Sequence, residues 1–595
     1  MSRRMNAALG ALLDGLDSAL GKHIRQGEGL FDPLDMRPSP NDHYGHVCAA
    51  LALACSGDRA WALGRQALDA WLHIDTDELG HLPFNRLALL LLRSVLRTRG
   101  LSQADENLIA AGLSRCGLKR RYPSNNWSLL AQTCRLIEAS ADRKAAESRR
   151  LCALLARWTT TKGCFIDFPA KPGKRFSTPL AYHHKALFLT ALACWFHDDA
   201  DLARHARRLA DWLIHCWDPA GYAGGFGRST HSLFGDGCLL AALLLLGIDD
   251  GEQDQPISAL AQRLMLQRRP DGLLWLNPAG HESGAASWDG YMHLSVYNAW
   301  AAAIVGAALQ LRQAGPLPGH LRATAWTAAR TGLFHDEEAG LACLRTKDGL
   351  NVLISTHGQP PQSYGRDEAE FRYAGGMVFH LRAGGSPPLL PPALRTTRDA
   401  LLAQPPLAGW TPVIVANGIY YVLDEFESCV LTSTEHGLKL SLAGQPCALF
   451  RQTPSNFPGK VLHKLDWRML GGRLGRNTVL RRARLTSVQA KIQLELRLDR
   501  PDSMTLSQKL EIHSRNRRIL HLNPESSITL DDTASMGTSS ACPHGTVQTA
   551  FPSSIPNCLA LSLGPRDIEA TTPYTSNTCI QLSFDATRAS PFPPS

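Results

Sequence analysis

Asn125, Asn126 and Trp127 stand side by side where the stretch "RYPSNNWSLLAQTCRLIEAS" turns from polar residues into an apolar helix. Capping explains one asparagine there, because its side chain can accept a hydrogen bond from an unpaired N–H of the first helical turn. The arrangement recurs, however, at other turns that lead into apolar helices. Tyr182, His183 and His184 open one such helix, Arg228 and His231 precede another, and Tyr291, His293 and Tyr297 mark a third. Trp127, Trp288 and Trp300 stand beside three of these groups. Together they supply amide, phenol, guanidinium and imidazole groups, which can hold an anion and move a proton, and indoles that can stack on a flat ring.

That inventory discriminates between reactions. Glycosidic hydrolysis usually uses two carboxylates flanking the bond. Asp167, Asp236, Glu282 and Asp289 are available for it, but they are not the dominant feature. Elimination beside a uronate carboxylate needs a different set. One group must neutralise that carboxylate so that the adjacent C5 proton becomes acidic, a base must remove the proton, and an acid must protonate the departing O4. Neutral donors and a guanidinium suit the first task, and histidine or tyrosine the other two.

Residues so far apart can cooperate only if the fold gathers them. Six segments share one design, a turn with polar or aromatic residues followed by an apolar helix. They start at His43, Phe84, Asn125, Tyr182, Thr230 and Ser295. These helices are apolar nearly all round, as expected of helices buried on every side. Between them lie amphipathic helices such as "RAWALGRQALDAWLHI", "RKAAESRRLCALLARWTT", "DLARHARRLADWLIHCW" and "PISALAQRLMLQRR". Buried and exposed helices alternate with a period of roughly 40–65 residues, a helical-hairpin repeat without a recurring motif. Six hairpins closing into a ring, with the apolar helices inside, account for both the count and the asymmetry. The expectation is an α+β multidomain chain that begins with an (α/α)6 toroid, complete or incomplete as a barrel, over residues 1–331.

From residue 332 the pattern changes. "GLNVLIST", "GGMVFHLRA", "TPVIVANGIYYVLDEF", "SCVLTSTEHGLKLSLAG", "AKIQLELRLD" and "MTLSQKLEIHS" alternate apolar and polar residues between turn formers. This predicts antiparallel strands with one buried face, arranged as a β-sandwich over residues 332–585. "GGSPPLLPPALR" reads as a loop, and residues 586–595 as a disordered tail. Between Lys460 and Arg500 there are eleven basic residues and three acidic ones. A solvated sheet face or a polyanion track would explain that run.

Of the 595 residues, 44% are hydrophobic and 19% charged, the composition of an ordinary globular protein, and the net charge of +9 favours an anionic partner. No uninterrupted apolar run reaches the length of a membrane span. The N-terminal stretch "MSRRMNAALGALLDGLDSALGKHI" has two early arginines, but Asp14 and Asp17 break its apolar run, so it reads as an amphipathic helix. The 15 cysteines are scattered, several inside apolar helices, and form no CxxC pair. They read as reduced core residues of a cytoplasmic protein, with non-classical export the alternative.

In layout and in short motifs the chain resembles the heparinase II/III-like and alginate-lyase-like polysaccharide lyases. The motifs are "NNW" at 125–127, "CFIDFP…YHHKALFL" at 164–189, "FGRSTHSLFGDG" at 226–237, and "FHDEEAGLACLRTKDGLNVLISTHGQ" with "GGMVFHLRAGGSPPLL" at the start of the β region. The resemblance implies β-elimination on a uronic-acid-containing polysaccharide or oligosaccharide, with no nucleic acid and no membrane insertion. The family's carboxylate-neutralising Asn matches Asn126. Its His matches His184 or His183, and its Tyr matches Tyr291 or Tyr297 ahead of Tyr182. Asn125, Trp127, Tyr182, His183, Arg228, His231, Trp288 and His293 then fall to substrate binding. The chain departs from the family in lacking a secretion signal and a tyrosine shortly after the histidine.

Each residue also has a structural reading. His183 or His184 would be a satisfied polar group at a helix start, Arg228 a brace for the "GGFGRS" turn, and Tyr297 a core aromatic. No cofactor is implied, although His335, His357 and His380 in the β region have the chemistry of a metal site. "GYAGGFGRS" lacks a preceding strand and a Walker lysine, so no phosphate loop is read from it. Two other functions compete with the lyase: an (α/α)6 glycoside hydrolase or uronate epimerase using Asp or Glu, and a non-catalytic glycan-binding protein of an exopolysaccharide pathway.

Overall fold

The computed structural model describes residues 3–167, 178–228, 231–248, 255–278, 291–321, 331–347, 349–359, 367–382, 395–403, 408, 411–434, 437–451, 457–469, 482–500, 503–514, 519–523, 566–568 and 574–583. The described residues up to Leu321 form one compact unit and those from Thr331 another.

The first unit is built of helices: α1 (Arg3–Lys22), α2 (Gly45–Ser56), α3 (Asp58–Leu72), α4 (Leu82–Arg97), α5 (Gln103–Arg115), α6 (Asn125–Glu138), α7 (Ala141–Trp158), α8 (Leu180–Phe196), α9 (Ala200–Cys216), α10 (Leu233–Leu245), α11 (Pro256–Met265) and α12 (Leu294–Ala314). The even-numbered helices are the six apolar segments of the sequence. They pack in order, α2 on α4, α4 on α6, α6 on α8, α8 on α10, α10 on α12 and α12 back on α2, which closes an inner ring. Each inner helix also packs on an outer partner: α3 on α2, α5 on α4, α7 on α6, α9 on α8, α11 on α10, and α1 on α12. Helix α1 is therefore the outer partner of the last inner helix, and the first and last helices of this unit close the circle.

Burial explains the division of labour. All residues of α10 are buried, as are Gly45 to Cys55 of α2, so neither helix has a face for water. Helix α9, "ADLARHARRLADWLIHC", buries Leu202, Ala206, Leu209 and Leu213 along one stripe and turns its arginines outward. Two outer helices, α9 and α5, are capped by side chains: Asp199 accepts from the N–H groups of Asp201 and Leu202, and Ser102 from that of Asp105.

In the second unit all strand pairs are antiparallel. One sheet orders its strands Val378–Arg382, Asn351–Ser355, Leu341–Arg345, Gly332–Asp336. Another runs Cys447–Ala448, Ile419–Val422, Val413–Ala416, Ile519–His521, Arg566–Ile568, and a third Ser428–Thr434, Gly437–Gly444, Val488–Arg500, Ser503–Ser514, Tyr574–Ser583. Register places Leu438 opposite Leu496, Leu440 opposite Leu494 and Leu442 opposite Ile492, so the alternate residues face inward together. A single apolar core joins Val352 and Ile354 of the first sheet, Ile414 of the second and Leu440 and Leu494 of the third. In the same unit, Arg482 makes a two-pronged pair with Asp424, at 2.7 and 2.8 Å, and also contacts Glu425. A helix at Phe457–Met469 interrupts the strands, which the alternation pattern did not anticipate. The stretch 384–394 and the tail 586–595 lie outside the described residues.

Candidate active site

The inner helices all begin at one end of the ring, and their first residues meet there in a continuous set of rings. Tyr44 at the head of α2 stacks on Phe84 of α4, with centroids 4.6 Å apart. Trp127 of α6 contacts His81 at 5.0 Å and Phe84 at 5.5 Å. Phe234 of α10 contacts Tyr182 of α8 at 6.4 Å and Tyr297 of α12 at 5.6 Å. The turns that lie far apart in sequence thus converge on one mouth.

Within this mouth the residues singled out from the sequence fall into two groups. Tyr182, Arg228, Tyr291, Trp127 and His293 are at least partly open to solvent. Arg228 donates from Nη2 to the Tyr182 hydroxyl at 2.7 Å, and its guanidinium lies 5.4 Å from the Tyr182 ring centroid and 5.7 Å from that of Tyr291. Tyr291 is 39% exposed. His293 bonds to Asp35 Oδ2 through Nδ1 at 2.6 Å.

The other group lies beneath the mouth, enclosed by the surrounding helices. His183 accepts the Phe165 N–H at Nδ1 (3.0 Å) and bonds the Leu209 carbonyl through Nε2 (3.1 Å), so both ring nitrogens are committed. Burial pushes its pKa down to about 3, with neighbouring His184 adding to the effect. Its contacts are those of an internal strut. His184 bonds the Ala223 carbonyl through Nε2 at 3.0 Å and is 2% exposed. Burial lowers its pKa against the opposing pull of Asp236, and a base so enclosed cannot meet a polymer. Asn125 donates to the Ile166 carbonyl at 2.9 Å and tethers α6 to the segment after α7. Asn126 is 3% exposed, and both hydrogens of its amide are used, one on Asp167 Oδ1 at 2.9 Å and one on Ser124 Oγ at 3.1 Å. It has no N–H left for a substrate carboxylate. His231 is buried in the left-handed region (φ 46°), edge-on to Tyr222, and Tyr297 is buried against Phe234. Trp288, Glu282 and Asp289 lie outside the described residues.

Three residues in this region escaped the sequence reading. Lys185, fully buried, donates from Nζ to Asn126 Oδ1 at 2.8 Å and lies 4.0 Å from the Phe84 ring centroid. Burial brings its pKa down to about 7. His43 and His81, from the turns before α2 and α4, lie with ring centroids 4.4 Å apart, and His293 is 5.0 Å from His43. Burial pushes the His81 pKa down to about 4. The rule that gathered the other turn residues would have found both histidines, had it been applied to the turns before α2 and α4. Lys185 carried no signal of its own, because one cation within an apolar helix does not show which partners surround it.

Of the carboxylates considered for hydrolysis, Asp167 is engaged by Asn126, and Asp236 is buried against Arg263 at 2.6 Å. Metal-ligating groups come together in three places among the described residues: Asp42, His43 and His81; Asp32, Asp35 and His293; and Asp424, Glu425 and Cys447. The acids of the third group are already paired with Arg482. His335, His357 and His380 do not form such a group among the described residues.

No family model matches the chain, and no curated protein is similar to it in sequence. Solved structures with a related helical layout include an α-1,6-mannanase of Salegentibacter sp. HEL1_6, at 11% identity over 51% of this chain and 99% of that one, TM-score 0.38. A polysaccharide lyase matches at 11% identity over 52% and 99%, TM-score 0.35. A type II terpene cyclase from Scytonema matches at 15% over 51% and 99%, TM-score 0.33.

Proposed function

We propose that the mouth of the helical ring binds an anionic, uronate-containing glycan and cleaves it by β-elimination. The observation that carries this reading is the pairing of Arg228 with Tyr182 at 2.7 Å, with Tyr291 on the same guanidinium. Arg228 pairs with the C6 carboxylate and stabilises the negative charge that spreads onto it as the C5 proton leaves. Tyr182, as phenolate, takes that proton. The electron pair of the C5–H bond becomes the C4–C5 double bond, the C4–O4 bond breaks, and O4 departs with a proton returned from the Tyr182 hydroxyl. Trp127 and Tyr291 offer flat faces for sugar rings on either side. The N-termini of the inner helices all lie at the mouth, and their dipoles favour a negatively charged ligand there.

This assignment moves the chemistry from Asn126 and His184, which are buried, to groups that a polymer can reach. Hydrolysis is the second reading. It is weakened by the commitment of Asp167 and Asp236 to internal partners.

The test is incubation of the full chain with a panel of uronic polymers and oligosaccharides while following the ultraviolet absorbance of the unsaturated product. Replacing Tyr182 with Phe or Arg228 with Gln should each lower the rate by about a hundredfold or more. New reducing ends without that absorbance would mean hydrolysis, and affinity with neither product would mean a binding protein.

A further inference from the structure

We propose that Asp42, His43 and His81 hold a divalent transition-metal ion of the zinc type on one flank of the mouth. One donor atom from each residue lies within 4.8 Å of the others. Asp42 Oδ1 and His43 Nδ1 are 2.8 Å apart. Ligands held tetrahedrally on one ion through metal–donor bonds of about 2.0–2.2 Å stand about 3.3–3.6 Å from each other, so this hydrogen-bonded pair needs to open by only about half an ångström to become neighbours in a coordination sphere. Two imidazoles and a carboxylate form a donor set that suits zinc and the other late first-row divalent ions, while calcium and magnesium prefer all-oxygen sites.

The cluster is also built, which distinguishes it from a chance meeting of surface side chains. The turns carrying Asp42–His43 and Gly80–His81 are fastened together from below. Buried Asn85 donates from Nδ2 to the His43 carbonyl at 3.2 Å and to the Gly80 carbonyl at 3.1 Å. A Cβ at Gly80 would lie 2.3 Å from the Asp42 carbonyl oxygen, so the two backbones approach as only glycine allows. The next residue, His81, adopts a left-handed conformation (φ 45°), which is uncommon outside glycine and costs about 1 kcal/mol or more. Its Nδ1 bonds the Asp42 carbonyl at 2.6 Å. An imidazole anchored to a backbone carbonyl through one nitrogen presents the other in a fixed direction, the usual support for a metal-binding histidine.

Carboxylates on this flank face Lys185, which acts on His81, and Arg37, which pairs with Asp35 at 3.5 Å. Asp42 lies beside His43, and Asp35 and Asp32 lie with His293, whose ring is 5.0 Å from that of His43. Arg228, the cation assigned to the substrate, belongs to the Tyr182 and Tyr291 group, so the two sites use different residues.

The full-length chain, stripped with a chelator and dialysed against zinc, should retain one zinc per chain, and cobalt in its place should show the visible bands of imidazole ligation. His81→Asn keeps a residue that tolerates the left-handed backbone while removing the ring. It should weaken zinc binding by about a hundredfold, and Asp42→Asn, at an exposed position, by about tenfold or more. His320→Ala, at a distant surface histidine, should leave binding unchanged. The inference is overturned if the wild-type chain retains no stoichiometric zinc, or if binding is undiminished in both His81→Asn and Asp42→Asn while their thermal melts match the wild type.

Discussion

Lys185 and Asn126 meet beneath the mouth of the ring, with the lysine Nζ donating to the amide Oδ1 at 2.8 Å and wholly shielded from water. The ammonium has one strong acceptor, an aromatic face at Phe84, and Asp167 near enough to favour its charge. These contacts do not offset desolvation, and the pKa falls from 10.5 to about 7. Between pH 7 and 10.5 the unfolded chain holds this proton and the folded chain releases it, so this group's contribution to stability rises with pH across that window. Below pH 7 both states are protonated and the full penalty of burying the charge, a few kcal/mol, opposes folding. Lys185→Met should therefore be more stable than wild type at pH 6, and the gap should narrow steadily toward pH 10. Urea titrations of both proteins across that range measure it, and a pH-independent gap would rule this ionisation out.

Asn126 belongs to the same network, and that fixes how its loss would read. Asn126→Ala removes the acceptor of Lys185 and a donor to Asp167 together, leaving two buried polar groups short of partners. The expected cost is about 2–4 kcal/mol of unfolding free energy. A substrate-binding asparagine would instead leave the denaturation midpoint in place and change only turnover, so thermal melts alone distinguish the two roles.

The inner and outer helices were legible because burial on all sides and on one side leave different apolar patterns, as α10 and α9 show. The strands were legible from alternation, as at Leu438, Leu440 and Leu442. Convergence of the helix starts followed from the ring. Sequence could not show which of two adjacent residues points up into the mouth and which down into the wall. Tyr182 and His183 are neighbours, yet one hydroxyl reaches Arg228 and the other ring is sealed between Phe165 and Leu209. A helix turns about 100° per residue, so a choice between neighbours depends on its rotation about its own axis, which packing decides. Lys185 was not singled out because lysine is rarely fully buried, and nothing in the pattern of its helix marks it as an internal donor.

His183 should make the fold acid-sensitive. Its folded pKa of about 3 lies below the unfolded value near 6.5, so the unfolded chain binds the extra proton between those limits. Stability from this group is present above pH 6.5 and is lost as the pH falls toward 3. His46, held between the Leu30 N–H and the Ser39 carbonyl with its pKa near 4, acts in the same direction. His183→Gln should be less stable than wild type at pH 7, and its stability should fall less steeply between pH 6.5 and 4. Equal slopes for the two proteins in that interval would refute the assignment.

The Asp236–Arg263 pair permits a sharper energetic test, because it couples α10 to α11 with both partners almost out of water. Arg263 also donates to Gln267 Oε1 at 2.7 Å and to the Gly221 carbonyl at 3.2 Å, and its guanidinium lies 4.9 Å from the Tyr222 ring centroid, so its charge is well supported. Asp236→Leu strands that guanidinium beside an apolar side chain and should cost about 3–5 kcal/mol. Arg263→Met strands the carboxylate and should cost a similar amount. If the cost lies in the uncompensated charge, and not in the loss of a bond, the double variant Asp236→Leu/Arg263→Met should recover much of it, ending closer to wild type than either single change. A double-mutant cycle in urea gives the coupling directly. Additive losses would mean that the two residues stabilise the ring through separate packing contacts, and that the buried pair is not the link between the inner and outer helices at this point.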